Sequence, residues 1–239
     1  AAIDDAATLA GHTIEVGAGT YIENIPLSKS ITVAGTGPDQ TILTRTGTAS
    51  ANGTGVSISA SGAKLQNLRV TNFNNGIAVS NTLVEVLNVE SVLNANTGLE
   101  LSSGTGNFTI KNSKLNQNKL GFRKGTVPDI SGFTMENCEV KDNTTQGCFI
   151  AAENGTNVFS NVLIKNSDFS GNLQKGMYFE VLSEATLEGI IMSGAGVDPT
   201  YGFNNGIDIN LKYGTYSNIA LKDSEITGCG VTGIATAPD

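Results

Sequence analysis

Apolar and polar residues alternate along this chain over stretches of only a few positions, separated by Asn, Gly and Ser. Period-two alternation bounded by turn residues predicts short β-strands. No stretch carries a helical pattern of ten residues. The nearest approach is Ala2-Ile3-Asp4-Asp5-Ala6-Ala7, which predicts a short amphipathic helix, within residues 1–10, capping the apolar end of the molecule. Strands begin at residue 11, first in Gly11-His12-Thr13-Ile14-Glu15-Val16 and then in Ser30-Ile31-Thr32-Val33.

The alternation is itself repeated. A glycine followed by an apolar strand recurs as Gly76-Ile77, Gly98-Leu99, Gly121-Phe122, Gly147-Cys148, Gly176-Met177, Gly206-Ile207 and Gly233-Ile234, at intervals of 22, 23, 26, 29, 30 and 27 residues. A second pattern runs in phase: Asn112-Ser113-Lys114-Leu115, Asn137-Cys138-Glu139-Val140, Asn166-Ser167-Asp168-Phe169 and Asp223-Ser224-Glu225-Ile226. Six residues beyond each Asn or Asp stand Asn118, Asn143, Asn172 and Cys229. Asparagine tolerates the left-handed backbone of a corner, and amides stacked in successive coils bond one another as a ladder.

A repeat of about three short strands cannot bury an apolar face alone, so it must stack on its neighbours. The arrangement that satisfies this is all-β: a single-stranded parallel β-helix, one domain whose eight or nine coils occupy residues 11–239. With about 4.8 Å between coils, the rod is roughly 40 Å long. The last coil stops inside Thr232-Gly233-Ile234-Ala235-Thr236 with no capping element after it. Such an open edge predicts further domains of the same polypeptide.

Residues 11–21 and 30–37, with the generic coils that follow, resemble the right-handed parallel β-helix of the pectin-lyase-like superfamily over nearly the whole chain. The resemblance implies the right-handed turn. It also implies a protein that is secreted or at the cell surface, with a polysaccharide or cell-surface glycan as partner. Polysaccharide lyases, glycoside hydrolases, esterases and epimerases share this superfamily with non-catalytic surface proteins, and their sites line one sheet of the rod. Several of its enzyme signatures are absent: there is no tryptophan, no His-Gly pair, no Arg-Ile-Lys tripeptide and no Gln-Asp pair. The pieces of an epimerase-like string occur in Asp198-Pro199-Thr200-Tyr201-Gly202-Phe203, but in the wrong order and without histidine.

On that sheet the first residue after each anchor glycine should face inward and the second outward. The outward row then reads Ala78, Glu100, Arg123, Phe149, Tyr178, Asp208 and Ala235. Two positions on come Ser80, Ser102, Gly125, Ala151, Glu180, Asn210 and Ala237, with Lys212 at the far end of the same strand. Aromatic platforms stack on sugar C–H faces while carboxylates and amides hold hydroxyls. Glu100, Arg123, Phe149, Tyr178, Asn210 and Lys212 are therefore the candidate glycan contacts, and residues 194–205 the candidate loop over them. If the site is catalytic, Glu180 and Asp208 are the candidate acid and base of a hydrolase. Alternatively Tyr178, beside Arg123 or Lys212, is the candidate base of a lyase. Three functions remain open: a polysaccharide-binding module, a passive stalk or adhesin segment, and a polysaccharide lyase or glycoside hydrolase.

Composition trims the alternatives. Of 239 residues, 14 are Lys or Arg against 22 Asp or Glu, a net charge of −8 that disfavours nucleic acid as partner. No apolar run approaches the roughly 18 residues of a membrane span, so no membrane insertion is expected. The three cysteines lack zinc-site spacing and fall in different registers, which predicts buried free thiols. His12 opens the first strand as an edge or cap residue, and Lys111, Glu136 and Lys165 align as an ion ladder. Sequons at Asn52, Asn107, Asn143 and Asn154 are expected by chance in so Asn- and Thr-rich a chain. No cofactor is implied; Ca²⁺ at the acidic cluster is the one metal considered, although no ligand loop is recognisable.

Overall fold

The computed structural model describes residues 2–102, 106–125, 129–152, 158–212 and 214–236. Ala237 and Asn154 lie outside them. Among the described residues every strand pairing is parallel, and two large sheets carry the rod. One has nine strands. From the N-terminal end they are Ile25–Leu27, Thr54–Ile58, Asn75–Val79, Thr97–Leu101, Leu120–Lys124, Gln146–Ile150, Lys175–Phe179, Asn205–Ile209 and Thr232–Thr236. The other has eleven strands, among them Lys64–Thr71, Glu85–Val92, Ile130–Glu136 and Phe159–Lys165. A third face is reduced to single bridges such as Lys114 to Glu139 and Glu139 to Asp168, followed by the pair Ile191–Ser193 and Glu225–Thr227. The coil thus has the three sides expected, one of them mostly a single residue wide.

The anchor glycines have a steric cause. A Cβ on Gly147 would lie 2.5 Å from the carbonyl oxygen of Gly176 in the next coil and 2.5 Å from Asn172 Nδ2. At Gly76, Gly98, Gly121 and Gly176 the oxygen of the following anchor glycine would stand 2.7 to 2.8 Å away. Successive coils meet backbone to backbone here, leaving no room for a side chain.

The second pattern is a corner. Asn112, Asn137, Asn166 and Asp223 all have positive φ, between 46° and 54°. Each ends a strand in the left-handed turn that Asn and Asp tolerate. The small residue that follows returns a bond to the carbonyl two positions back: Ser113 Oγ to Lys111 O at 2.8 Å, Cys138 Sγ to Glu136 O at 3.3 Å, Ser167 Oγ to Lys165 O at 2.8 Å. Inside the next bend the ladder forms as predicted and reaches one coil further, to Asn94. The backbone N–H groups of Asn94, Asn118 and Asn143 donate to the Oδ1 of Asn118, Asn143 and Asn172 at 2.9, 2.9 and 3.1 Å. All four asparagines are buried, which removes Asn143 as a glycosylation acceptor.

Between the sheets lies an aliphatic core with a run of phenylalanines, Phe133 standing 5.9 Å from Phe108, 4.9 Å from Phe122 and 5.4 Å from Phe159. Cys138 and Cys148 are buried free thiols as expected, and burial pushes both upward, Cys138 to about 11. Cys229 is a free thiol too, but only half-buried. Lys111, Glu136 and Lys165 do align in register, with Lys111 pairing with Glu136 at 2.9 Å, while Lys165 turns to Glu188 of the following strand at 2.8 Å. His12 serves the edge: its carbonyl accepts from Thr32 N–H at 2.9 Å, and its Nδ1 from Leu9 N–H at 3.3 Å.

The N-terminal helix is not there. Residues 2–11 form turns instead. Asp5 Oδ1 accepts from Ala7 N–H at 2.8 Å, Thr8 Oγ1 donates to Ala2 O at 2.7 Å, and Lys29 Nζ donates to Asp5 O and Thr8 O. So short a segment cannot repay helix nucleation, and Asp and Thr side chains offer its backbone other partners.

Candidate functional site

The nine-stranded sheet stacks its outward residues in register. Ala78, Glu100, Arg123, Phe149, Tyr178, Asp208 and Ala235 are successive partners, the row read from the repeat. The ladder runs past the strand ends, because Glu180 N–H donates to Ile150 O, Asn210 N–H to Phe179 O and Lys212 N–H to Glu180 O at 2.8 to 2.9 Å. Glu180, Asn210 and Lys212 therefore continue the same face.

A cleft of about 400 Å³ opens over part of this row. Its floor is Gln146, Phe149, Lys175, Tyr178, Glu180, Asp208 and Asn210, and Tyr201 and Phe203 wall it from the loop at residues 194–205. Glu100 and Arg123 stand in the row but do not line the cleft. They pair with each other at 3.6 Å, and Arg123 Nε is buried without a hydrogen-bond partner among the described residues. A cleft of similar size on another face holds Arg69, Glu90 and Lys114 in a chain of ion pairs and has no aromatic lining.

The loop is pinned, chiefly through Asp198. Its N–H donates to Leu173 O at 2.9 Å, while its carboxylate accepts from Thr200 N–H and Oγ1 at 2.9 and 2.7 Å and from Gln174 Nε2 at 3.2 Å. Asn204 Nδ2 closes the turn onto the Asp198 carbonyl. Those bonds hold the Thr200 hydroxyl against the Asp198 carboxyl, which sits below its ordinary value. Tyr201 and Phe203 meet edge to face at 6.1 Å, and Phe203 remains 72% exposed.

Two polar chains run through the floor. In the first, Tyr178 Oη and Lys212 Nζ both donate to Glu180 Oε1 at 2.7 Å, Ala152 N–H donates to Oε2 at 2.8 Å, and Asn210 Nδ2 donates to Tyr178 Oη at 3.3 Å. Burial alone would raise the Glu180 carboxyl, but the bonds from Lys212, Ala152 and Tyr178 outweigh it and hold it below its ordinary range. Burial, with the bond to Glu180, pushes Tyr178 up to about 12; the same carboxylate raises Lys212. In the second chain, buried Lys175 pairs with Asp208, which also accepts from Asn205 Nδ2 at 3.2 Å. The Lys175 ammonium lies 4.3 Å from the Tyr178 ring centroid.

The Glu180 shift has a pH consequence. A carboxyl lowered in the folded state stabilises fully above its ordinary value of 4.5, and that contribution is lost as pH falls through the folded value. Urea denaturation should therefore show Glu180→Gln less stable than the parent at about pH 7, with the gap narrowing as pH falls below the ordinary carboxyl value. A gap of unchanged size would assign the loss to shape rather than charge.

The structure changes the aromatic expectation. Phe149 and Tyr178 stack on each other, centroids 5.7 Å apart and planes 17° apart, so each spends one ring face on its neighbour. The most exposed ring at the cleft is Phe203 of the loop. Lys175 and Gln146 were not legible as site residues, because strict alternation points them inward. Instead the anchor glycine and the residue after it both face the core, a Cβ on Gly176 falling against the buried Met192 side chain, and the residue before the glycine is returned to the outer face, as half-buried Gln146 before buried Gly147 and Cys148 shows. That column pairs as Asn75, Thr97, Leu120, Gln146, Lys175, Asn205 and Thr232. Its near-uniform polarity was the signal. For calcium, no three His, Cys, Asp or Glu side chains among the described residues are grouped to hold a metal ion, and Glu180 and Asp208 each face a lysine.

No protein-family model matches the chain, and no curated protein matches it by sequence. Solved structures do match in three dimensions. An alginate lyase from Paenibacillus sp. str. FPU-7 superposes with a TM-score of 0.64 at 13% identity, over 99% of this chain and 94% of the lyase. Pectate lyase Pel9A gives 0.56 at 17% identity, over 90% and 71%. The fold is the right-handed, pectin-lyase-like β-helix. A third β-helix of this kind is the tailspike protein gp49 of Acinetobacter baumannii bacteriophage Fri1, a capsular polysaccharide depolymerase, at 0.56 and 12% identity. This chain aligns over 95% of its own length with 57% of that tailspike. At such identities the likeness is one of fold.

Proposed function

We propose that the chain is a secreted or cell-surface β-helix module that binds polysaccharide in the cleft beneath Tyr201 and Phe203. The observation that carries this reading is Phe203, a large aromatic side chain 72% exposed on a loop pinned over a hydrogen-bonding floor. An exposed ring on a loop pinned at Asp198 spends loop entropy on presenting apolar surface, which favours a ligand over mere solvation. Sugar rings match such a surface: their C–H faces pack on Tyr201 and Phe203 while Gln146 and Asn210 bond their hydroxyls. The fold's neighbours support the ligand class, since alginate lyase, pectate lyase and a capsular polysaccharide depolymerase are among them.

Binding is favoured over catalysis by the state of the carboxylates. A glycosidase needs one carboxyl raised so that it can donate a proton, with the other ionised. Glu180 is lowered instead, and Asp208 is engaged by Lys175. As a lyase base Tyr178 is equally ill-placed, because its proton is donated into Glu180 and its pKa is pushed up to about 12.

A glycan microarray followed by calorimetry tests the proposal. Phe203→Ala should weaken the retained glycan about tenfold, near 1.4 kcal/mol, with an unchanged melting temperature because the ring is exposed. No retention by the intact protein would leave the stalk as the better description.

A further inference from the structure

The cations at the cleft are already answered from within. Lys175 is buried against Asp208 and lies over the Tyr178 ring, and Lys212 bonds Glu180 Oε1 at 2.7 Å. The Tyr178 hydroxyl points its proton at the same oxygen. A ligand carboxylate in this cleft would have to displace Asp208 or Glu180 from its lysine and then lie beside the displaced carboxylate. Like charges in so sheltered a place repel strongly, and separating a sheltered ion pair leaves a buried charge without a partner. Further along the row, Arg123 already faces Glu100. The chain as a whole carries −8, which opposes the approach of any polyanion. What is left to face a ligand is the Gln146 amide, the Asn210 side-chain carbonyl and the Tyr201 and Phe203 rings. These groups suit hydroxyls and C–H surface.

We infer that the cleft selects an uncharged glycan, one without uronate, sulfate or phosphate groups. The inference rests on the polysaccharide reading above and names the class of its ligand. It sets this β-helix apart from the alginate and pectate lyases that share its fold, since both are named for polyuronates.

The test is a microarray carrying neutral oligosaccharides beside alginate and polygalacturonate oligomers of matched length, probed with the intact protein. A neutral oligosaccharide should be retained at least about tenfold more strongly than either uronate. Its signal should change by less than about twofold between low and high salt, because no ligand charge is being screened. Glu180→Gln preserves the side-chain shape and frees the Lys212 ammonium, so it should raise uronate retention several-fold; an unchanged uronate signal in the folded variant would overturn the charge-pairing argument. Uronates retained as well as neutral glycans by the parent protein would overturn the inference and leave polysaccharide binding standing. Retention of neither class would remove polysaccharide binding itself, and the inference with it.

Discussion

Gly147→Ala should destabilise the protein by about 3 kcal/mol or more, while the same change at Gly233 should be neutral or stabilising by up to about 1 kcal/mol. The two glycines occupy the same position of the repeat. At Gly147 the new methyl would meet Gly176 O and Asn172 Nδ2 at 2.5 Å, and neither can retreat. Gly176 O belongs to the backbone of the next coil, and Asn172 Nδ2 donates to Val140 O and Phe169 O at 2.8 and 2.7 Å. Relief requires the coils to part, which breaks the parallel pairing of Gln146–Ile150 with Lys175–Phe179. At Gly233 the nearest atom to the methyl would be Ile226 Cγ2 at 3.4 Å, an ordinary contact. Urea denaturation of both variants checks the contrast. Equal losses would mean that the glycines are required for backbone conformation rather than for the close approach of coils.

Lys175→Met should cost about 3–5 kcal/mol, since it leaves the Asp208 carboxylate sheltered with only an amide for company. The methionine fits the lysine stem, so the loss measures the charge. Lys175→Met combined with Asp208→Leu should recover most of the stability, because two apolar residues replace a sheltered pair at little net cost. A double variant as unstable as the single one would show that the pair is needed for the packing of Tyr178, over whose ring the ammonium sits. The same comparison separates folding from binding. The pair orders the floor of the cleft, whereas Phe203, apart from its edge contact with Tyr201, is exposed.

These two sites show how one repeat serves both stability and display. The glycine column brings neighbouring coils into backbone contact, and that contact places residues 22–30 positions apart in sequence side by side. Phe149, Tyr178 and Asp208 are neighbours for that reason alone. Any ligand that spans the cleft therefore reads several coils at once.

The coil, its corners and the outward row were determined by the sequence itself, since each depends on local geometry repeated at a near-constant interval. Asn137 is legible as a corner because few other residues accept its left-handed backbone. The alignment of Glu100, Arg123, Phe149, Tyr178 and Asp208 follows from register once the coils stack. The tertiary structure alone decided the rest. Lys175 turns to the cleft because the alternation breaks at Gly176, and a period of two does not record that break. The N-terminal segment gives up its helix to bonds with Lys29, a residue of the first coil. The loop at residues 194–205 was legible as the one over the site, but that Tyr201 and Phe203 are the side chains it turns to the cleft was decided by its folding around Asp198. Whether Glu180 and Asp208 stand free or paired was settled by lysines of the same face, Lys212 and Lys175, each more than thirty residues from its partner. Contacts of that kind occur once, and a repeat can announce only what it repeats.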